Sequence, residues 1–438
     1  MSNIKELVRL MKDLEDQLVT CMRCGLCQAV CPLFAETGRE ADVARGKLAL
    51  LDGLAEEILQ NPQGVQEHLT RCLLCGSCAA NCPSGVKALD IFIKARAILA
   101  GYLGLSPVKK AIFRGLLRKP EWFNRLLAWG AKFQGIFIKP VDDLLGSSCA
   151  RFTSPLLKNR HFKPLAAVPW HRQVSPRHTA PGASGLKVAF FVGCLIDKIF
   201  PQVADAVLKT LNRHEVGIYL PAGQGCCGIP ALAGGDTQTF QELVRLNLKL
   251  LADPAAAYDY LITACATCSS TIKKLWPLMM QDADPEEQKQ VTDLAARTLD
   301  ISQFLVDKLG VAAAAAASGT ENGRIAVTYH DPCHLKKSLG VAAQPRALLQ
   351  ANPAYVLKEM AESDWCCGCG GSFNLQHYET SAAIGIRKRD NIAESHCRVV
   401  ATGCPACMLQ ITDMLSQAGM RVTVKHAVEI YASALNQS

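Results

Sequence analysis

Two cysteine runs near the start of this 438-residue chain constrain its fold more than any other feature. Both follow the pattern C-x-x-C-x-x-C-x-x-x-C-P. Their cysteines are Cys21, Cys24, Cys27 and Cys31 in the first run, and Cys72, Cys75, Cys78 and Cys82 in the second. The proline after each fourth cysteine prevents a preceding helix from continuing. Two chance matches to so specific a pattern are very improbable, so residues 1–95 must fold around whatever these eight sulfurs bind.

This spacing is the ligand pattern of bacterial two-cluster ferredoxins, in which the fourth cysteine completes the neighbouring cluster. Structural zinc also binds C-x-x-C thiolates, but the third closely spaced cysteine and the terminal Cys-Pro favour iron–sulfur clusters. The runs therefore predict two 4Fe–4S clusters and one-electron transfer. Between them Leu48, Leu51, Leu54 and Ile58 recur at helical spacing, which predicts an α-helical ferredoxin-like domain over residues 1–95.

Composition narrows the class of protein further. The 21 cysteines occur largely in C-x-x-C and CC pairs, which are typical of metal sites rather than of disulfides. Thiolate ligands need a reducing compartment, so we expect a cytoplasmic location. No apolar stretch follows Met1, and no uncharged apolar run reaches about 18 residues, so neither a signal peptide nor a membrane-spanning helix is expected.

The net charge of +8 is concentrated in one segment of the chain. Residues 91–140 contain ten Lys or Arg and a single acid, Glu121. Residues 96–145 interleave these cations with Trp and Phe at helical spacing, and the proline-rich residues 150–186 indicate an extended connector. We predict that residues 96–185 form a basic, aromatic helical segment plus this connector. Their pattern favours contact with a membrane surface or a partner, and not with nucleic acid, because no nucleic-acid-binding fold accompanies the charge.

From residue 186 onward, predicted strands and helices alternate and a cysteine pattern repeats. The first set is Cys194, Cys226, Cys227, Cys265 and Cys268, and the second is Cys333, Cys366, Cys367, Cys404 and Cys407. The two sets are offset by 139 or 140 residues, which indicates a duplication. We therefore predict two α/β cysteine-rich domains, over residues 186–310 and 323–438, each containing a Cys-Cys-Gly (CCG) motif.

Each set falls just after predicted strands, which end before Cys194, Cys265 and Cys404. Because the carboxyl ends of parallel strands converge at one edge of a sheet, the sulfurs of each set are expected to meet there. Tetrahedral thiolate sites suit either iron or zinc, so the metal stays open at this point. Gly223–Gly228 also matches G-x-G-x-x-G, but two cysteines fill the turn and no acidic residue follows at the right interval, so a dinucleotide site is rejected.

With these motifs the chain resembles the iron–sulfur subunits of glycolate oxidase and the lactate-utilisation proteins. It is similar also to the C subunit of anaerobic glycerol-3-phosphate dehydrogenase and to heterodisulfide reductase subunits. By the ligand logic of these families, one cluster is held by Cys21, Cys24, Cys27 and Cys82 and the other by Cys72, Cys75, Cys78 and Cys31. In the heterodisulfide relatives each CCG set holds a non-cubane 4Fe–4S cluster, which implies one or two further clusters, or zinc, on the sets named above.

Several cysteines and histidines lie outside this pattern. Cys369 replaces a non-cysteine residue of the relatives and leaves the ligands of the second CCG set open. Isolated Cys149 and Cys397 are interpreted as small buried apolar residues. His330 and His334 flank Cys333 and are candidate additional ligands, although a lone histidine is more often a hydrogen-bonded core residue.

The resemblance implies an electron-transfer subunit of a flavin-linked 2-hydroxyacid dehydrogenase. An FAD-containing partner would oxidise glycolate or D-lactate, and this chain would pass the electrons to a quinone or another acceptor. If the basic helices bind lipid, the chain is peripheral on the inner face of the cytoplasmic membrane. Three alternatives stay open: a heterodisulfide-reductase-like catalytic subunit, the electron-transfer subunit of anaerobic glycerol-3-phosphate dehydrogenase, and a non-catalytic metal-binding scaffold.

Overall fold

The computed structural model describes residues 4–12, 14–152, 159–312 and 323–435. The chain divides into two compact units that exchange segments along the sequence. The first, which we call the helical unit, comprises Met1–Arg118, Gly228–Glu242 and Gly368–Ile384. The second, the sheet unit, comprises Lys119–Cys227, Leu243–Cys367 and Gly385–Ser438. The duplicated cysteine sets therefore lie in one compact unit. The boundary between the two units falls inside each CCG motif, after its second cysteine and before its glycine.

The helical unit contains no strand among its described residues, in agreement with the predicted α-helical domain. Its first helices are Ile4–Lys12, Glu15–Leu18, Leu26–Val30, Pro32–Thr37, the 3₁₀ turn Glu40–Asp42 and Ala44–Ala55. They are followed by Pro62–Thr70, Ser77–Ala80, Ala88–Leu103, Pro107–Lys110 and the π-helix Ala111–Leu117. The two later segments add Ile229–Ala233, Ser372–Gln376 and the first parts of Thr237–Leu251 and Tyr378–Glu394.

The helix Ala44–Ala55 forms the centre of this unit because its apolar residues recur every three to four positions. Leu48, Leu51 and Leu54 are buried as predicted. Ile58, the fourth position of that pattern, is 71% exposed, because the helix ends at Ala55 and the chain turns away.

A glycine in this central helix permits close contact with the preceding turn. A Cβ atom at Gly46 would lie 1.9 Å from the carbonyl oxygen of Glu40. We expect Gly46→Ala to lower the free energy of unfolding by about 1–3 kcal/mol, since the backbone must shift to relieve the overlap. The measurement is chemical denaturation followed by circular dichroism.

The matched control is Gly101→Ala in the helix Ala88–Leu103, where a Cβ atom would contact nothing within 4 Å. This variant should be as stable as the wild type or more stable by about 0.5–1 kcal/mol, because alanine favours a helix over glycine. Equal stability losses in both variants would contradict the packing argument.

The sheet unit contains every strand of the described residues. In chain order these are β1 (Ile138–Asp142), β2 (Ser147–Ala150), β3 (Arg177–His178), β4 (Lys187–Phe190), β5 (Gly217–Leu220), β6 (Tyr260–Thr263), β7 (Thr298–Asp300), β8 (Ile325–His330), β9 (Tyr355–Leu357), β10 (Val399–Thr402) and β11 (Thr423–His426). They form a β1–β2 hairpin, a five-stranded sheet in the order β3-β5-β4-β6-β7 and a four-stranded sheet in the order β11-β10-β8-β9.

Helices cover these sheets. Those of the connector and the first sheet are Pro120–Phe137, Trp170–Gln173, Cys194–Ile199, Pro201–Arg213, the end of Thr237–Leu251, the 3₁₀ turn Pro254–Ala256, Ala266–Ser270, the π-helix Thr271–Leu275, Trp276–Met279, Pro285–Ala296 and Ile301–Asp307. Those of the second sheet are Cys333–Leu339, Ala343–Gln350, the end of Tyr378–Glu394, Pro405–Gln417 and Ala427–Ala434.

The topology reveals the duplication directly. In the first sheet the parallel order β5-β4-β6-β7 corresponds strand for strand to β9-β8-β10-β11 in the second. The fold class is therefore the predicted one, an α-helical ferredoxin-like part followed by duplicated α/β parts.

The structure corrects two details of the segment between these parts. Helix was predicted as far as residue 145, but it ends at Phe137, where the extended backbone of Ile138 opens the β1–β2 hairpin. The proline-rich connector contains β3, which pairs antiparallel with β5. Residues 153–158 of the connector, and residues 313–322 of the predicted Ala-rich separator, lie outside the described part of the chain. Within the described ranges no helix is long and apolar enough to span a membrane.

Candidate metal centres

Each cysteine run of the helical unit follows the same unusual backbone path. Gly25 and Gly76, which precede the third cysteine by two residues, have φ values of 86° and 74°. Arg23 and Leu74, two residues earlier, also have positive φ, at 57° and 55°. Positive φ is uncommon for residues other than glycine and marks a tightly specified turn. Both runs therefore curve their amide groups and sulfurs around a common kind of centre.

The structure brings cysteines of the two runs together in a crossed arrangement. One cavity is lined by Cys21, Cys24 and Cys27 from the first run and by Cys78 and Cys82 from the second.

Cys31, in contrast, lies within electrostatic reach of Cys72 and Cys75. Burial raises the pKa of Cys31 to about 12, and the two neighbouring thiols add to this effect. A thiol in such surroundings ionises when a soft metal replaces its proton.

Three cations lie close to these sulfurs. Arg45 lines the cavity and donates a 3.1 Å hydrogen bond to the carbonyl oxygen of Arg23. Lys47 is fully buried and donates to the carbonyl oxygen of Ala41 at 3.1 Å. Arg96, also buried, donates to the carbonyl oxygen of Cys72 at 2.7 Å.

The two buried cations require a compensating negative charge. Burial lowers the pKa of Lys47, and the nearby Cys72 thiolate and the buried Asp42 carboxylate oppose that shift. Burial of an ion is costly unless it is paired. Thiolates that carry an anionic cluster would supply this charge, so the donor set and its surroundings fit a 4Fe–4S cluster.

Hydrogen bonds to sulfur add to this electrostatic environment. The backbone amides of Phe34 and Leu74 donate to the sulfurs of Cys31 and Cys72 at 3.5 and 3.4 Å. Such bonds are one of the means by which a protein sets a cluster's reduction potential.

In the sheet unit, the first cysteine set gathers at the ends of β4 and β6, as the strand pattern predicted. The sulfurs of Cys194 and Cys226 lie 3.9 Å apart. A Cβ atom at Gly193, just after β4, would lie 3.2 Å from the sulfur of Cys268. Hydrogen bonding to a neighbouring thiol, together with burial, raises the pKa of Cys226 and of Cys268 well above the usual value.

Two buried side chains that were not singled out in the sequence hold this CCG loop. Asn247 accepts a hydrogen bond from the amide of Gly225 and donates to the carbonyl oxygen of Cys226, both at 3.0 Å. The indole of Trp276 donates to the carbonyl oxygen of Cys227 at 2.9 Å. Their apolar helical surroundings resemble ordinary core positions, so the sequence carried no signal of this role.

A histidine lies beside the second set. Potential ligand atoms of Cys367, Cys407 and His330 all lie within 4.8 Å of one another, and the three residues are buried. Burial lowers the pKa of His330 to about 3, so its imidazole is neutral. The buried ammonium of Lys388 donates to the carbonyl oxygen of Glu362, and burial lowers its pKa to about 8 while the thiols of Cys367 and Cys366 oppose the shift.

The two sets are adjacent within the sheet unit. The sulfurs of Cys265 and Cys404 are within hydrogen-bonding distance, and the hydroxyl of Thr267 is 3.4 Å from the sulfur of Cys404.

Cys369 belongs to the segment Gly368–Ile384 of the helical unit, where a Cβ atom at the following Gly370 would lie 3.3 Å from the Cα of Leu73. Cys397 is buried as expected, whereas Cys149 in β2 is only half-buried, in contrast to the expectation.

A row of buried polar side chains crosses each sheet at the ends of its strands. In the second sheet Thr402 pairs in register with both His330 and His426, and in the first sheet Thr263 pairs with Asp300. All five residues are fully buried, and each has at least one polar side-chain atom that lacks a hydrogen-bond partner within the described structure. Buried polar atoms of this kind call for an explanation, and the carboxyl ends of parallel strands are where α/β proteins bind ligands.

Asp300 offers a test of this burial. Its carboxylate accepts a hydrogen bond from the amide of Ser302, and burial raises its pKa to about 7. The unfolded chain releases this proton near pH 4 whereas the folded chain retains it to about pH 7, so stability falls as the pH rises through this interval.

Asp300→Asn keeps the acceptor oxygen but has no proton to release in this range. We therefore expect its stability advantage over the wild type to grow by a few kcal/mol as the pH rises from about 4 to 7, and to stay constant at higher pH. Thermal unfolding of both proteins from pH 5 to 8 measures the difference. A constant difference across this range would show that Asp300 does not titrate as described.

Comparison with known proteins identifies the same two parts. A model of the 4Fe-4S dicluster domain matches residues 17–86, and a model of the CCG cysteine-rich domain matches residues 188–273 and 327–412. The fold and sites thus define an iron–sulfur protein that takes part in electron transfer, with two 4Fe–4S clusters in its dicluster domain.

Similar proteins span most of the chain. A "Probable glycolate oxidase iron-sulfur subunit" of Bacillus subtilis is 28% identical over 96% of this chain and 94% of its own length. A subunit of "Fumarate reductase (CoM/CoB)" from Methanothermobacter marburgensis is 27% identical over 91% of this chain and 68% of its own length. "Lactate utilization protein A" of Oceanobacillus iheyensis is 30% identical over 56% of this chain and 96% of its own length. The chain belongs to the family of glycolate oxidase iron–sulfur subunits and lactate-utilisation iron–sulfur proteins.

Proposed function

We propose that this chain is the electron-transfer subunit of a flavin-linked 2-hydroxyacid dehydrogenase. The similarity to the glycolate oxidase iron–sulfur subunit along almost the whole chain carries the proposal. A separate FAD-containing subunit takes the hydride from glycolate or D-lactate and delivers single electrons to this chain. The 4Fe–4S clusters supply one-electron storage when bound, and the residues of this chain position them and set their potentials.

We assign the ligands of the dicluster domain by the crossed arrangement of the two runs. Cluster 1 would be held by Cys21, Cys24, Cys27 and Cys82, and cluster 2 by Cys72, Cys75, Cys78 and Cys31. The cavity that Cys82 shares with the first run supports the first assignment. The proximity of Cys31 to Cys72 and Cys75 supports the second.

Each CCG set is assigned a metal centre, with iron–sulfur clusters favoured by the family. Cys194, Cys226, Cys227, Cys265 and Cys268 form the first, and Cys333, Cys366, Cys367, Cys404 and Cys407 form the second. Eight of the ten thiols are buried, and Cys194 and Cys333 are partly buried. Hydrogen bonds among sulfurs raise the pKa values of Cys226, Cys268 and Cys407 and lower those of Cys194 and Cys404. Such closely coupled thiols suit a soft metal that displaces protons. In this proposal the CCG centres relay electrons to the terminal acceptor.

The buried ammonium of Lys47 should raise the reduction potential of cluster 2, because a positive charge favours the more negative reduced state. We expect Lys47→Met to lower that potential by on the order of 50–100 mV, as one unit charge at low effective dielectric would. Arg45→Met should lower the potential of cluster 1 by less, since solvent screens the more exposed guanidinium. Potentiometric titration followed by EPR measures the reduction potentials of both clusters in each variant. If each substitution shifted the two potentials equally, the pairing of Lys47 with cluster 2 and of Arg45 with cluster 1 would be contradicted.

The helix Pro120–Phe137, which we call the aromatic helix, supports contact with a membrane surface. Its exposed apolar residues form a stripe at spacings of three to four residues, namely Trp122, Leu126, Trp129, Phe133 and Ile136. Outside this stripe, Gln134 exchanges two 2.9 Å hydrogen bonds with the backbone of Leu165 in the connector. The guanidinium of Arg125 and the ammonium of Lys132 each lie 5.8 Å from an aromatic ring of the stripe.

A helix that exposes an aromatic stripe and carries two cations against one acid suits an anionic lipid surface, where a quinone acceptor would also be found. We expect the chain to sediment with phosphatidylglycerol vesicles and to be released by salt, since part of the attraction is electrostatic. The double variant Trp122→Ala/Trp129→Ala should bind about tenfold or more weakly, because it removes two apolar side chains from the interface.

The matched control is Ile58→Ala, which alters an equally exposed apolar residue of the helical unit. It should bind as the wild type does. Failure of the wild type to bind anionic vesicles, or unchanged binding by the double variant, would contradict a membrane role for the aromatic helix.

The function itself is tested by anaerobic purification of the tagged full chain from its own host. We expect an FAD-containing polypeptide to co-purify, and glycolate or D-lactate to produce the EPR signals of reduced 4Fe–4S clusters. Cluster reduction by glycerol 3-phosphate alone would overturn the proposal in favour of the glycerol-3-phosphate dehydrogenase type.

A second candidate rests on the similarity to the subunit of fumarate reductase (CoM/CoB) and on the complete CCG sets. In that case the CCG centres themselves would reduce a disulfide. Disulfide reduction by the dithionite-reduced chain, without any flavoprotein partner, would favour this heterodisulfide-reductase-like role and overturn the first proposal. Iron-free protein that still binds its partner would instead indicate a scaffold.

A further inference from the structure

The two CCG sites differ at one position that the duplication places beside the metal. His330 ends β8, three residues before Cys333. The offset of 139 residues gives Phe191 as its counterpart in the first half, directly after β4 and three residues before Cys194. Both side chains are completely buried. The first site therefore has an aromatic hydrocarbon where the second has an imidazole.

The ring of His330 has few polar neighbours. Within the ranges that the structure describes, neither Nδ1 nor Nε2 has a partner with full hydrogen-bond geometry, although the backbone of Ser363 lies close enough to affect the pKa of the ring. One of these nitrogens lies within 4.8 Å of the sulfurs of Cys367 and Cys407. A neutral imidazole offers one lone pair, and a buried lone pair is normally satisfied by a hydrogen bond or by a metal ion. Here two thiol sulfurs lie within reach, and the proposed function assigns both of them to a metal centre.

The neighbouring histidine provides an internal comparison. The Nδ1 atom of His334 lies 3.1 Å from the hydroxyl of Thr267 and is thus occupied by a hydrogen bond. Of the two histidines that flank Cys333, His330 is the one whose position fits a ligand.

We propose that His330 binds the metal centre of the second CCG site together with Cys367 and Cys407, so that this site has thiolate and imidazole ligands whereas the first site has thiolates alone. The proposal rests on the proposed function only in requiring that the CCG sets bind metal. Mixed sulfur and nitrogen ligation suits both iron in a cluster and zinc.

Such a difference would separate the two sites electrochemically if they hold iron. A neutral imidazole in place of a thiolate leaves less negative charge on the centre, and replacement of thiolates by histidine raises the potential of iron–sulfur clusters. The second site would therefore accept electrons at a higher potential than the first. The two duplicated sites would then differ in reduction potential, and electrons would move from the first site to the second.

The test uses the full chain, loaded with metal anaerobically, with and without ¹⁵N-labelled histidine. For iron, pulsed EPR should reveal a strongly coupled nitrogen in one centre, and its coupling should change with the isotope. For zinc, X-ray absorption at the zinc edge should show a nitrogen ligand beside sulfur. These measurements on the unsubstituted chain do not depend on whether any variant folds.

Three variants then assign the nitrogen. His330→Phe, which copies Phe191, should lose the nitrogen signal. His330→Cys should keep the metal, lose the nitrogen signal and, for iron, lower the potential of that centre. The control His334→Gln should keep both the nitrogen signal and the potential.

The outcomes separate this inference from the proposed function. Metal in both CCG sites with only sulfur ligands, or a nitrogen signal that persists in His330→Phe, would overturn the role of His330 and leave the electron-transfer proposal intact. Metal content that accounts for the dicluster domain alone would refute the CCG metal centres, and with them this inference.

Discussion

The chain must hold negatively charged sulfur at positions that are mostly partly or fully buried, and this constraint shapes both of its units. All but three of the 21 cysteines belong to the two runs or the two CCG sets. Burial raises the pKa of Cys31 to about 12, so its thiol would not ionise on its own. Binding of a metal compensates the free-energy cost of ionising a buried thiol. Buried cations such as Lys47 and Lys388 lower that cost further.

Local backbone geometry serves the same constraint. In the helical unit, paired positive-φ residues turn each run at the same two positions, and cysteines of both runs line one cavity. In the sheet unit the parallel strands do this instead, because their carboxyl ends bring Cys194 and Cys265 to one edge although 71 residues separate them. The two units thus bring cysteines together by different means, tight turns in one and the ends of parallel strands in the other. The duplicated α/β parts use the second means twice.

The sequence predicted the features that depend on short-range periodicity and spacing. The buried face of Leu48, Leu51 and Leu54 follows from helical spacing, and the meeting of sulfurs after β4 and β6 follows from the rule for parallel strands. The short pattern could not show that the segment after each CCG cysteine pair belongs to the helical unit, since that depends on long-range packing. Asn247, Trp276 and Lys47 escaped prediction for the same reason: each acts through a partner distant in sequence or through burial. The position of His330 beside Cys367 and Cys407 likewise required the fold.

The crossed ligation of the two runs is the central claim, and one comparison of variants tests it most directly. EPR spectra and iron content of the dithionite-reduced chain would be measured for Cys21→Ser, Cys72→Ser and Cys82→Ser. The account predicts that Cys82→Ser weakens the same signal as Cys21→Ser and spares the one that Cys72→Ser affects, because Cys82 completes the first run's cluster. If Cys82→Ser instead matched Cys72→Ser, each run would hold its own centre and the account would be wrong.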